Sequence, residues 1–410
     1  MSSNGLVLTR GFLSNTLPYR TSYATFFNSL GALYSTAPVY STPKWYVSPT
    51  GSNSNTGLSP SQAWLTITFA AQNASVAAGD VVGVLPGTYT ENVSITRGGS
   101  AAAGNTVYRS LVMGAAKIVG AALHSSTVVP AAHYITLDGF DITTFAGGDQ
   151  HGVDLANSAF IGPHHQTVRN CLIHDCGGSA IAAAWGDYYM FEDNVVWNNC
   201  QLNTYQTSAI NIYQAIPFDT VGGFHNVIRR NVAYNNYETN AAASYGSRTD
   251  GNGFIIDDFN HTQTSGHNDG IPYVQQTLLD SNLSYSNGGK GYHVFQSQYV
   301  TAINNVAWKN STDLGNPSTW RSEINNHNGN NNTYINNIAI CDSSINANND
   351  CFGDKYGGGT SSNVVYEHNS TLDVNAPTAN SFSQSGSGAT IRNMVYHTDV
   401  WFEALQALTT

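Results

Sequence analysis

The sequence predicts an all-β chain wound as one right-handed parallel β-helix, a three-strand solenoid with a short N-terminal capping helix. Three observations lead there. A short Asn-led phrase recurs along the chain, two further β-prone segments precede each copy, and no 3.6-residue periodicity is sustained.

The phrase is Asn, two or three apolar residues often ending in an aromatic, then a polar residue and often a second Asn. It begins at Asn170, Asn194, Asn231, Asn282, Asn305 and Asn337, with a weaker copy at Asn393. The tightest spacings are 24 residues (170 to 194) and 23 (282 to 305); larger ones imply loops inserted into a coil. The leading Asn is expected at the bend between strands. Asn tolerates left-handed backbone geometry, and stacked Asn side chains can bond to one another up the stack. A β-sandwich with Asn-rich turns is the alternative, but sandwiches do not repeat a phrase in this way.

One strand is expected just before each phrase, as in Tyr188-Tyr-Met-Phe-Glu192 and His225-Asn-Val-Ile-Arg229. Another lies further upstream, as in Gly253-Phe-Ile-Ile-Asp257, Gly291-Tyr-His-Val-Phe295 and Arg321-Ser-Glu-Ile-Asn325. Three strands per coil, stacked about 4.8 Å apart, make a solenoid. The Ala-rich stretch from Ile67 to Ala77 is expected to be the helix covering the open end, since an exposed coil end is a strand edge. Residues 44–410 form the β-helix domain. Residues 1–43 fit none of these patterns and are expected to be an arm or attachment segment.

Bulk properties narrow the partners. Of 410 residues only 10% are charged, and Asn, Ser, Thr and 39 Gly fill the deficit, giving a turn-rich chain with a largely neutral surface. The net charge is −11 and no Lys/Arg run occurs, which argues against nucleic acid. No apolar stretch approaches the ~20 residues of a spanning helix. The N-terminus lacks the layout of a secretory signal. The expectation is an extracellular or virion-associated protein, either shorn of its leader or exported as part of a phage particle. A homotrimer or virion attachment through the N-terminal arm would suit such a particle. Five cysteines make no disulfide framework, although Cys341 and Cys351 bracket a polar loop and would pair in an oxidising setting.

The Trp45-Tyr-Val-Ser-Pro-Thr-Gly51 opening, the Pro86-Gly-Thr-Tyr-Thr-Glu-Asn92 segment and the Asp250-Gly-Asn-Gly-Phe254 strand resemble the pectate-lyase-like parallel β-helix superfamily. Within it the chain is most similar to the family 9 polysaccharide lyases and their uncharacterised relatives, over roughly residues 44 to 400. The resemblance implies a polysaccharide substrate, a calcium ion held by an aspartate cluster, and a lysine base. Asp250 matches one ligand position. The second cluster, an Asp-Asp-Gly-aromatic-Asp phrase in the family, reads Gly289-Lys290-Gly291-Tyr292-His293 here. Calcium wants oxygen ligands, so no cofactor is expected, with calcium at Asp250 kept as the alternative.

Strand alternation gives the outward positions. Phe254 and Ile256 should point in, with Ile255 and Asp257 outside. His293 and Phe295 follow on the next coil, then Arg321, Glu323 and Asn325; Asn211 and Tyr213 lie one coil earlier. His293 and Glu323 are expected in one column, with Asp250, Asn252 and Lys290 in the turns leading in. Each has a bland reading: Asp250 shapes a turn, Lys290 is a solvated loop lysine, and Arg321–Glu323 is a surface pair of little energy. Such a concentration of ionisable groups in a chain this poor in charge is what favours a site.

Two reactions suit the patch. In β-elimination, Lys290 or His293 is the base while Lys290 and Arg321 neutralise a uronate carboxylate. In hydrolysis, Asp257 and Glu323 act as an acid–base pair, two coils and therefore about 9.6 Å apart. Tyr213, Asn211, Phe295 and Asn325 are the expected sugar-contacting residues. The non-enzymatic alternative is a glycan-binding adhesin or phage tailspike, for which a concentrated acid–base patch has no use. His261 and His267, in the polar insertion from Asn260 to Asp269, form no recognised ligand spacing but could overhang the groove.

Overall fold

A computed structural model describes residues 42–396 except 157–161, 241–245, 265, 317–320, 348, 356–360, 376–381 and 385–387. The expected arm, residues 1–43, lies outside the described residues apart from Thr42 and Pro43. Three sheets of 12, 11 and 10 strands run along the chain, and every strand pair within them is parallel. Trp45–Val47 pairs with the next strand, Val81–Val84, and from there on each strand pairs with the strand three positions on, so successive coils stack; this is the right-handed parallel β-helix. A helix forms over Ile67–Gln72, shorter than the stretch to Ala77 expected from the sequence, and Ile67, Ala70 and Ala71 join the core cluster that holds Trp45 and Val47. Thr66 ends it at the front by accepting the Phe69 N–H on its hydroxyl. No helix of the described residues is long and apolar enough to cross a membrane.

Two asparagine ladders hold the corners. In the outer one Asn194, Asn231, Asn282, Asn305, Asn337 and Asn369 are linked in series. Each side-chain amide donates to the next carbonyl oxygen at 2.9–3.0 Å, and the backbone N–H of the same residue donates to that oxygen too. In the inner one Asn199, Asn236, Asn287 and Asn310 repeat the pattern. These residues are buried, so the ladder satisfies the polar groups a tight corner would otherwise leave unpaired.

Two details correct the reading of the repeat. The left-handed backbone sits one residue before each ladder Asn, at Asp193, Arg230, Ser281, Asn304, Asn336 and His368, with φ of 54–59°. The ladder Asn serves its amide rather than its tolerance of φ. The first two copies are also out of step by one: Leu172 pairs with Val195 and His174 with Trp197, so Cys171, not Asn170, underlies Asn194. Asn170 instead donates to Asp138 on the coil below.

Cys341 and Cys351 form a disulfide, and Cys171, Cys176 and Cys200 are free and buried. Aromatic residues stack inside the coils, as Phe254 on Tyr292 at 4.9 Å and Tyr334 on Tyr366 at 4.6 Å.

Candidate functional site

The candidate site lies on the 10-stranded sheet. Pairing places Ile210–Tyr213, Phe254–Asp257, Tyr292–Phe295, Arg321–His327 and Asn349–Lys355 on successive coils. Register defines two columns. One runs Asn211, Ile255, His293, Asn325; the other runs Tyr213, Asp257, Phe295, His327. Phe254 and Ile256 are fully buried between them, as alternation requires.

The column expected to join His293 to Glu323 is corrected. His293 pairs with Asn325, and Glu323 stands two residues earlier, opposite Gly291. Glu323 is fully buried. One of its oxygens accepts the Asn310 backbone N–H at 2.8 Å and the Asn349 amide at 2.9 Å; the other accepts the Asn310 amide at 2.6 Å. Burial pushes its pKa up to about 7 even against those bonds. Glu323 thus occupies the next rung of the inner ladder.

The proposed carboxylate pair is not brought together either. Asp257 shares its column with Phe295 and then His327, which leaves Glu323 four residues from that column. Two coils and four residues amount to about 9.6 Å up the stack and about 13 Å along the strand. That exceeds the ~6.5–9.5 Å at which inverting glycosidases hold their carboxyl groups. Asp257 accepts a 2.7 Å hydrogen bond from the Gln263 amide, and burial, with the Asp250 and Asp258 charges, holds its carboxyl well above the usual range.

Lys290 and His293 behave differently. Lys290 is 4% exposed, and among the described residues no carboxylate forms an ion pair with its amine. Burial lowers its pKa, Asp250 raises it, Arg321 lowers it, and Glu238 raises it. His293 is 7% exposed, and both its ring nitrogens are buried with no hydrogen-bond partner. Burial first, then Lys290 and His327, depress its pKa well below the usual imidazole value. A neutral imidazole next to an unpaired amine is what a buried site retains when it is built to meet a ligand. Arg321 is likewise buried, and desolvation lowers its pKa. Asn325 donates to the Ser322 hydroxyl while its carbonyl oxygen, like that of Asn211, is buried and unpartnered.

Turn geometry fixes Lys290. Its backbone N–H donates to Asn252 Oδ1 at 2.7 Å, and the Asn252 amide donates to Asp250 at 2.6 Å and to the Ser208 hydroxyl at 2.9 Å. Gly289 is required here, because a Cβ would sit 2.4 Å from Asn252 Oδ1.

Two residues escaped the sequence reading. His327 continues the strand two places past Asn325; its ring lies 4.7 Å from that of Phe295 and 6.2 Å from that of His293. Extending the alternation one step would have found it. Glu238 is almost completely buried, and its oxygens accept the backbone N–H groups of Thr207, Thr249 and Asp250. Burial and the Asp250 charge push its pKa up to about 7. It stands in the loop after a phrase, where no strand pattern points to it.

Calcium does not fit at Asp250. One of its oxygens is engaged by Asn252 and the other by Thr249, Glu238 is occupied by three backbone donors, and the Lys290 charge already acts on the Asp250 carboxyl. No group of three ligands forms there among the described residues.

The insertion does overlie this sheet. Gly266 abuts the Tyr213 ring, His267 N–H donates to Gln214 Oε1 at 2.6 Å, and Gln263 reaches Asp257.

No protein-family model matches the sequence, and no curated protein does. Solved structures do match. XylC in complex with xylose aligns with a TM-score of 0.52 at 10% identity, covering 85% of this chain and 86% of that one. A rhamnogalacturonan lyase aligns with a TM-score of 0.50 at 12% identity, covering 88% and 89%. The A-module of the mannuronan C-5 epimerase AlgE6 from Azotobacter vinelandii aligns at 0.49 and 14% identity, covering 81% and 94%. At such identities the likeness establishes architecture alone: this chain has the right-handed parallel β-helix fold.

Proposed function

We propose that this chain cleaves a uronate-containing polysaccharide by β-elimination, in a groove along the 10-stranded sheet. The observation that carries the reading is the pairing of Lys290, a buried amine without an ion-pair partner, with His293, whose two ring nitrogens are buried and unbonded.

In this reading the neutral Lys290 amine takes the proton at the carbon next to the uronate carboxyl group. Arg321 stabilises the charge that develops on that carboxylate, a job for which a desolvated guanidinium is suited. The bond from the neighbouring carbon to the glycosidic oxygen then breaks, leaving an unsaturated uronate. The Lys290 ammonium so formed returns the proton to the departing oxygen, to which the neutral His293 imidazole donates a hydrogen bond from its ring N–H. Tyr213, Phe295 and His327 offer ring surface, and Asn211 and Asn325 offer carbonyl oxygens to sugar hydroxyls. Rhamnogalacturonan, the substrate in the name of one structural neighbour, is a uronate polymer, which supports the class and leaves the sugar open. Uronate polymers are met outside cells, so the reading carries an extracellular or virion-borne setting, with residues 1–43 as the attachment arm.

The test is incubation with neutral and uronate polysaccharides, following ultraviolet absorbance from unsaturated ends alongside total reducing ends. Both should rise together, and both should vanish in Lys290→Ala. Reducing ends without absorbance would overturn elimination in favour of hydrolysis. Glycan binding without either signal would make the patch a recognition site.

A further inference from the structure

We propose that His261, His267 and Asp269 form a binding site for a single zinc-class divalent ion, which pins the 260–269 insertion beside the groove. The site stands independently of the reaction assigned to the groove.

The three residues are the only such ligand-competent group among the described residues, and one donor atom from each lies within 4.8 Å of the others. His261 is 2% exposed, and its Nε2 donates to the Ala215 carbonyl at 2.9 Å. A carbonyl only accepts, so Nε2 carries the proton and Nδ1 turns toward Asp269 Oδ1, 2.8 Å away. His267 Nε2 faces the other oxygen at 3.1 Å. A backbone carbonyl holding the far nitrogen of a ligand histidine is the usual outer support of a metal site, because it fixes tautomer and ring orientation. The Ile271 N–H does the same for Asp269, donating to Oδ1 at 2.9 Å.

At the 2.8 Å contact, either a second proton sits on His261 or a cation lies between ring and carboxylate. A tetrahedral zinc ion with bonds of about 2.0–2.1 Å places its ligand atoms about 3.3 Å apart, a small opening of the 2.8 and 3.1 Å contacts. Two imidazoles and one carboxylate select zinc and its first-row neighbours over calcium or magnesium, which demand oxygen shells. His267 and Asp269 remain about a third exposed, which leaves an entry path. The consequence is local order. The same segment packs on Tyr213, bonds Gln214 through the His267 N–H and reaches Asp257 through Gln263. An ion would therefore fix the wall that overlies Tyr213 and Asp257.

The full chain, freed of metal with EDTA and dialysed, should be titrated with zinc chloride by calorimetry and with cobalt(II) chloride by visible absorption. One equivalent of zinc should bind, and cobalt should give the visible bands of a low-symmetry, tetrahedral-type site. His267→Ala removes a partly exposed side chain and should leave the melting temperature in EDTA unchanged, whereas Asp269→Asn keeps an oxygen for the Ile271 N–H but loses the charge facing His261 and should lower it slightly. Each should weaken zinc at least about 100-fold, since even outer-support mutations cost 10–100-fold. Absence of zinc binding, or equal binding by both variants and the wild-type chain, would overturn the site and leave a His261–Asp269 ion pair.

Discussion

Glu323 takes the place of an asparagine at the end of the inner ladder, accepting the Asn310 backbone N–H and side-chain amide at 2.8 and 2.6 Å. The ladder residues below it receive the same two donors on one amide oxygen, so a neutral side chain can serve. Glu323 therefore brings to the ladder a buried ionisable group that the fold does not need.

The first prediction follows from that group. The folded-state pKa of Glu323 is raised to about 7, above the ~4.3 of an unfolded glutamate, so the folded state holds its proton longer. Stability should fall as pH rises through the window between those values and level off above it. Glu323→Gln should flatten that slope and leave glycan cleavage intact. Glu323→Ala strands the Asn310 donors and should cost about 2–4 kcal/mol. Thermal melts of the three proteins from pH 4.5 to 8.5 decide it; loss of cleavage in the well-folded Gln variant would restore Glu323 to the chemistry.

A second prediction concerns Lys290. Only the neutral amine can accept a proton, and burial lowers its pKa, so the elimination rate should climb as pH rises through that lowered value. Lys290→Met removes the base and should reduce kcat by about 10³-fold or more. The same change deletes a charge that desolvation disfavours, so the melting temperature should hold or rise. A variant that melts early and retains activity would contradict both halves.

Much of this was legible in the residues. The Asn phrase announced the coils because a stacked amide must recur at each corner, and Phe254 and Ile256 obeyed alternation because apolar side chains gain most from the buried face of the strand. His293 and Phe295 were found by the same rule. Glu323 was misplaced because alternation within one strand gives no register between strands. The segment from Asn310 to Arg321 is longer than the one from Asn287 to Tyr292, which shifts the count, and pairing alone shows Asn325 opposite His293. The slip between Asn170 and Asn194 has the same origin. Glu238 lay in a loop without periodicity, and His261 with His267 needed a turn of the insertion to bring them to one carboxylate.

A third prediction separates His293 from Lys290. With both ring nitrogens unbonded, His293 supports no other part of the fold through hydrogen bonds. His293→Ala should therefore fold normally, lower kcat about 10²–10⁴-fold and leave the affinity for cleaved, saturated oligouronides nearly unchanged. The natural check is a leaving group that no longer needs a hydrogen bond from the protein. A substrate carrying a good leaving group at the glycosidic oxygen should recover much of the lost rate in His293→Ala and little of it in Lys290→Met.

The last prediction uses Glu238, which touches no groove residue in the two columns yet acts on the base through space. Its charge raises the Lys290 pKa, together with that of Asp250. Glu238 is itself pushed up to about 7 by burial and by Asp250, so it is charged in only part of the working range. Glu238→Gln keeps an acceptor for the Thr249 and Asp250 N–H groups and removes the charge. The rising limb of the pH–rate profile should move to lower pH, because an opposite charge has left the neighbourhood of the amine. A residue that merely braces the 249–250 turn would lower kcat at all pH values alike and leave the midpoint where it was. A midpoint that stays fixed in Glu238→Gln, with full folding, would also argue that the titrating base is not Lys290, since His293 lies outside the set of groups on which Glu238 acts.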